Sequence, residues 1–106
     1  MERKVKIVTF APRDAAEKVR IAMGDAGAGI VGQYSHCSFS TIGHGRFIPG
    51  EGTNPSVGSV GKAEIVEEER IEMLCDAARA EKVADAIREV HPYEEVPIEM
   101  YSIEEL

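Results

Sequence analysis

Two short helix-period stripes, each wedged between stretches of strand period, restrict this chain more than any other feature in it. Ala16, Val19, Met23 and Ala26 recur at spacings of three and four, and Ala80, Val83, Ala84 and Ile87 repeat the pattern further on. Each stripe is one apolar face of a helix. Before the first lies the β-branched run Val5-Lys6-Ile7-Val8-Thr9-Phe10, closed by Ala11-Pro12. Asp14-Ala15-Ala16-Glu17 then has the spacing of a capping box, and Gly27 and Gly29 stop the helix. Gln33 to Ile42, carrying Tyr34, Phe39 and Ile42, reads as a second strand. From Glu69, Ile71, Met73 and Cys75 alternate with Arg70, Glu72 and Leu74, the mark of a half-buried strand. His91-Pro92 ends the second helix, and Val96, Ile98 and Met100 alternate with Pro97, Glu99 and Tyr101 in a last strand. Strand, helix, strand, strand, helix, strand is the α+β, ferredoxin-like βαββαβ sandwich.

Such a sheet carries helices on one face only. If Ile7, Ile71, Met73 and Ile98 face the helices, then Val8, Phe10, Leu74 and Tyr101 point the other way. An apolar patch on an open sheet face marks an interaction surface, so the pattern predicts a homo-oligomer packed through that face. Residues 43–61 hold six glycines and two prolines with little periodicity. They read as one long loop, a length that in a small domain goes with function or mobility. With 106 residues and no internal linker, residues 1–106 read as a single domain.

Charge narrows the partners. Residues 1–60 carry seven Lys or Arg and five Asp or Glu, a net +2, whereas residues 61–106 carry five and fourteen, a net −9, so the acidity of the chain sits in the second part. An acidic surface repels phosphate backbones, and six aromatic residues without a tryptophan make no stacking platform, which argues against nucleic acid. No apolar run approaches the roughly 20 residues that cross a bilayer, and no secretory leader is evident at Met1-Glu2-Arg3-Lys4. A cytoplasmic location without membrane contact is the expectation. Cys37 and Cys75 are too far apart for a metal-binding or redox pair, and read as reduced thiols, at least one of them in the core.

Candidate chemistry gathers in few places. Gly43-His44-Gly45-Arg46-Phe47 begins like a dinucleotide fingerprint, but Ile48 stands where the third glycine belongs and no helix opens behind it. Its consecutive backbone N–H groups beside Arg46 suit an anion. His36, Cys37, His44, His91 and Glu94 are ligand types for a divalent metal such as copper or zinc, with no metal-specific local spacing. Each histidine also has an ordinary surface or capping use, and a cation at His91 would suit a helix C-terminus. His36 and Cys37, adjacent on a strand, would point to opposite faces and could not cooperate as base and nucleophile. No Ser/His/Asp arrangement and no nucleophile elbow is suggested locally. The chain reads as no enzyme.

One resemblance spans Val5 to about Ile103. It is carried by Gly32-Gln33-Tyr34-Ser35-His36-Cys37-Ser38-Phe39, by Gly43-His44-Gly45-Arg46-Phe47-Ile48-Pro49 and Gly58-Ser59-Val60-Gly61, by Glu64 to Glu72, and by His91-Pro92-Tyr93-Glu94-Glu95-Val96. Together they resemble the domain inserted in the middle of bacterial Nif-three-like proteins, the NGG-interacting-factor family with its YqfO-type members. The chain is similar to a free-standing version of that insert. The resemblance implies a PII/CutA-like fold and self-association, with a trimer favoured over a dimer. It places residues 43–61 where PII proteins carry their ligand-responsive loop. The metal centre and any hydrolase activity of the full-length family belong to flanking domains, so no catalytic residue carries over.

The combined expectation is a non-catalytic, oligomeric regulatory or ligand-binding domain. Its site would lie where the 43–61 loop meets His91 to Glu95, with Gly43, His44, Gly45, Arg46, His91, Tyr93, Glu94 and Glu95 as the ligand-binding residues. The alternatives are a CutA-like divalent-metal protein using His36, Cys37, His44, His91 and Glu94, and a structural module that docks onto another protein.

Overall fold

The computed structural model describes residues 3–106. Strand β1 (Lys4–Pro12) runs directly into helix α1 (Arg13–Asp25). Strands β2 (Phe39–Phe47) and β3 (Glu64–Asp76) form a long hairpin, a single 3-10 turn (Ala77–Arg79) leads into helix α2 (Ala80–Val90), and β4 (Ile98–Ser102) closes the chain. The sheet order is β2-β3-β1-β4 with every neighbouring pair antiparallel, which is the ferredoxin-like arrangement of two interleaved βαβ units. Among the described residues no helix is long and apolar enough to cross a membrane.

Register sorts the two faces of the sheet. Val5 pairs with Cys75, Ile7 with Met73 and Thr9 with Ile71, and all six are buried against the helices. Val19 and Met23 of α1 and Val83 and Ile87 of α2 meet them in one core. Thr9, the polar member, donates its hydroxyl to the Pro97 carbonyl at 2.7 Å, which satisfies it and ties the approach to β4 down onto β1. Lys6, Val8 and Phe10 face the other way, in register with Leu74, Glu72 and Arg70.

That open face is less bare than alternation alone predicts. Val8 is fully buried between Glu72 and Glu99, while Phe10 and Leu74 are half-buried. A lattice of charges lies over them: Arg70 sits 5.5 Å above the Phe10 ring and bonds Glu72 at 2.9 Å, and Lys6 approaches Glu72 from the far side at 3.7 Å. The Arg70 hydrogen bond holds the Glu72 carboxyl below its usual range. Two aromatics rise out of the lattice, Phe39 at 65% exposure and Tyr101 at 44%.

Three local expectations give way to longer-range contacts. No side chain caps α1: the chain passes from β1 into the helix at Pro12, so Asp14 already lies inside the first turn and the capping box has no place to form. The second strand starts at Phe39, not Gln33, because Gly29 and Cys37 join backbone to backbone (Cys37 N–H to the Gly29 carbonyl, 2.8 Å) and hold the intervening chain in a tight loop. It then runs through Gly43, His44, Gly45 and Arg46 to Phe47, residues that locally read as loop, since β3 begins as early as Glu64 and pairs with them all. His36 and Cys37 therefore lie on that loop and not on a strand.

Candidate functional site

The site is built outward from the end of α2. Pro92 disfavours helical geometry in the residue before it, so His91 turns extended (φ −78, ψ 135) while its N–H still closes the helix on the Ile87 carbonyl at 2.9 Å. The ring of His91 is buried. Its Nε2 meets the Phe10 carbonyl at 2.7 Å, and its Nδ1 accepts the Tyr93 N–H at 3.1 Å. Both contacts are satisfied together only by the neutral tautomer with its proton on Nε2. His91 is thus a buried bracket joining the chain after α2 to the end of β1, in place of the exposed helix-end residue that its position suggests.

Tyr93 packs edge-on against that ring, with centroids 4.8 Å apart, and donates its hydroxyl to Glu68 Oε2 at 2.7 Å. Burial foremost, then the Glu68 hydrogen bond and charge, raise the Tyr93 phenol well above the ordinary tyrosine range. Glu68 needs room to reach Tyr93, and Gly45 supplies it: a Cβ at Gly45 would stand 2.1 Å from Glu68 Oε1. Gly43, two residues earlier, has open space where its Cβ would be.

Beyond Phe47 the loop turns back. Gly61 N–H closes its base on the Pro49 carbonyl at 2.8 Å, and Thr53 bonds the Gly50 carbonyl through both its N–H and its hydroxyl. The Glu94 carboxylate then accepts the Asn54 N–H, with its two oxygens 3.3 and 3.2 Å away, and fastens the loop to the segment after α2. Between them lies a cleft of about 410 Å³. Phe47, Pro49, Pro55 and Val57 make one wall, and Tyr93, Val96 and Pro97 the other. Glu94 and Glu95 are its charged lining residues.

The sequence-predicted site residues divide around this cleft. Tyr93, Glu94 and Glu95 line it, and His91 supports it from beneath. Gly43, His44 and Gly45 line a second depression of about 310 Å³, together with Phe10, Glu68 and Arg70. The Tyr93–Glu68 hydrogen bond joins a wall of one hollow to a wall of the other. Arg46 is exposed and lines neither. Pro49, Pro55, Val57 and Pro97 were not legible as site residues. Their signal is faint, an apolar residue every few positions in an otherwise polar loop.

His36 and Cys37 lie elsewhere, beside the C-terminal end of α1. His36 holds a left-handed backbone (φ 57) and its ring lies against Gly24, where a Cβ would come within 2.0 Å of it. Its Nε2 meets Asp25 at 2.9 Å and its Nδ1 meets Ser35 Oγ at 3.1 Å. The structure therefore does gather an Asp, a His and a Ser, which local spacing does not suggest. All three are exposed, and the group pins the loop after α1 onto the helix end. Cys37 is half-buried and free, and Cys75 is buried in the core, where desolvation raises its thiol. Among the described residues no three His, Cys, Asp or Glu side chains gather as a metal-ligand set.

No protein-family model matches the chain. Curated relatives do. The GTP cyclohydrolase 1 type 2 homolog of Bacillus subtilis is 42% identical over 100 residues, covering 94% of this chain and 27% of its own length. That of Mycobacterium tuberculosis is 43% identical over 98 residues, covering 92% and 26%. The chain thus spans about a quarter of the length of these relatives. Among solved structures, a Bacillus cereus protein related to NIF3 superposes with a TM-score of 0.85 at 46% identity, over 98% of this chain and 26% of that one. The divalent cation tolerance protein CutA of Archaeoglobus fulgidus (TM-score 0.70, 18% identity, 96% and 85% covered) and GlnK of B. subtilis (0.62, 17%, 95% and 85%) share the fold. The chain is a homologue of one PII/CutA-like segment of the NIF3-related proteins.

Proposed function

We propose that this chain is a non-catalytic ligand-binding domain that works as a homo-oligomer, with its site in the cleft between residues 47–57 and 93–97. The observation that carries this reading is the cleft itself. Its volume of about 410 Å³ lies within the range of small-molecule pockets, its walls are apolar, and hydrogen bonds tie down both sides. Burial of a ligand's apolar surface there supplies the driving force. A non-catalytic role fits the same geometry, for among the described residues the lining offers no nucleophile activated by a base: Thr53 is spent on the Gly50 carbonyl, Ser56 has no base bonded to it, and the Tyr93 phenol is held protonated. Self-association is supported by the exposed Phe39 and Tyr101 on the open sheet face and by the trimer that the PII/CutA resemblance implies.

Titrating indole into isotope-labelled protein tests the site. Amide shifts confined to residues 47–57 and 93–97 are expected, and shifts scattered over the helices, or none, would remove the reading. Light scattering on the same sample tests the assembly, for which a mass above that of one chain is expected.

A further inference from the structure

The chemistry lining the cleft is one-sided. No Lys, Arg or His is among the described residues that form it, whereas two carboxylates are. Glu94 accepts one backbone N–H from Asn54, which leaves most of its acceptor capacity unused. Glu95 has no hydrogen-bonding or ionic partner among the described residues. Phe47 and Tyr93 contribute aromatic surface to opposite walls, and three prolines (Pro49, Pro55, Pro97) contribute rigid apolar surface.

Resting on the reading of the cleft as the ligand site, we propose that it selects small organic cations: molecules with a flat apolar body and one protonated amine. The body replaces water against the prolines, Val57 and Val96, while the amine is left facing Glu95 and the free lone pairs of Glu94. Glu94 and Glu95 are exposed, so the attraction is that of a surface ion pair, and the two aromatic rings favour a cation over an anion as well. The same lining disfavours phosphate and carboxylate ligands. An anion would lose its hydration beside two like charges and find no cationic side chain to replace it. The surplus of acidic residues over positions 61–106 extends the preference outward, since it draws cations toward the cleft and repels nucleotides.

Three probes that share an indole ring separate the parts of this proposal: tryptamine as the cation, indole as the neutral body and indolepropionate as the anion. Calorimetric titration of the full chain is expected to rank tryptamine above indole and indole above indolepropionate. Glu95→Gln should narrow the span between the two charged probes about fivefold, the scale of one exposed ion pair, while indole affinity holds. Glu95→Lys should reverse their order. Equal affinities for all three probes, unmoved by either substitution, would overturn charge selection and leave the cleft standing as a site. Binding of none of them would overturn the site and, with it, the selection.

Discussion

Gly45 and Gly43 are two residues apart on β2, and they differ in what they tolerate. A methyl at Gly43 meets nothing, so Gly43→Ala should leave stability within about 0.5 kcal/mol. A methyl at Gly45 displaces the Glu68 carboxylate from Tyr93. Gly45→Ala and Tyr93→Phe therefore remove the same hydrogen bond, each at a cost of about 1 kcal/mol, and chemical denaturation of the double variant should show costs that do not add. pH separates the two further. Tyr93 keeps its proton in the folded chain at pH values where an unfolded tyrosine, with its ordinary value of 10.0, has lost it. Above that pH the folded state binds the extra proton, so stability falls as pH rises. The advantage of wild type over Tyr93→Phe should be full below that value and shrink above it. None of this was legible in the sequence, where Gly45 is one of six glycines in a tract and Glu68 one of three consecutive glutamates. The contact that gives each its role crosses strands and joins residues 25 apart.

At the scale of elements, the two helices and the central strands were legible because each carries its own period. Val19, Met23, Val83 and Ile87 are buried where their stripes place them. Ile87→Ala should cost about 2–5 kcal/mol, read as a shift in denaturation midpoint with an unchanged slope. The hairpin was legible only in part. β2 is exposed along most of its length and contains two glycines, so no local window marks it as a strand. The start of β3, Glu64-Ile65-Val66-Glu67-Glu68, precedes the alternation that marks the strand from Glu69. Pairing with β2 makes it a strand, and neighbouring cations offset its charge: Arg13 meets Glu67 at 2.9 Å and Arg20 reaches Glu69, so α1 covers the acidic stretch from the helix side. The cleft was legible as a meeting of two segments, 43–61 with 91–95, but its apolar walls were not. Pro49 and Pro55 stand in the stretch that reads as a loop and Pro97 in the last strand, and the Glu94–Asn54 clamp helps bring the two segments together.

The whole molecule is elongated, 48 × 23 × 23 Å, because the β2–β3 ribbon extends past the two-layer body. Exposed Phe39 lies in register with Glu72 and, across the sheet, in the same row as Val8 and Glu99, so this row of the open face sets an aromatic beside two carboxylates. Phe39→Glu should weaken self-association about tenfold by sedimentation, since loss of an aromatic anchor and like-charge repulsion both act on that row. The fold and the family relation were legible early because period and motif agree over nearly the full length. Self-association is an expectation read from the surplus of apolar side chains on the open face and from the resemblance.

The two walls of the cleft are mechanically unequal. One belongs to the loop at the tip of the ribbon, and the other is bolted to β1 through the Thr9–Pro97 bond. The Asn54–Glu94 clamp joins the two directly, and the Tyr93–Glu68 bond ties the fixed wall to the ribbon below its tip. A molecule seated between them becomes a brace across an open frame, and occupancy is converted into stiffness along the ribbon. Amide hydrogen exchange over residues 48–63 should slow when the cleft is filled, while exchange in α1 and α2 keeps its rate. A partner resting on the ribbon would then sense the ligand without touching it.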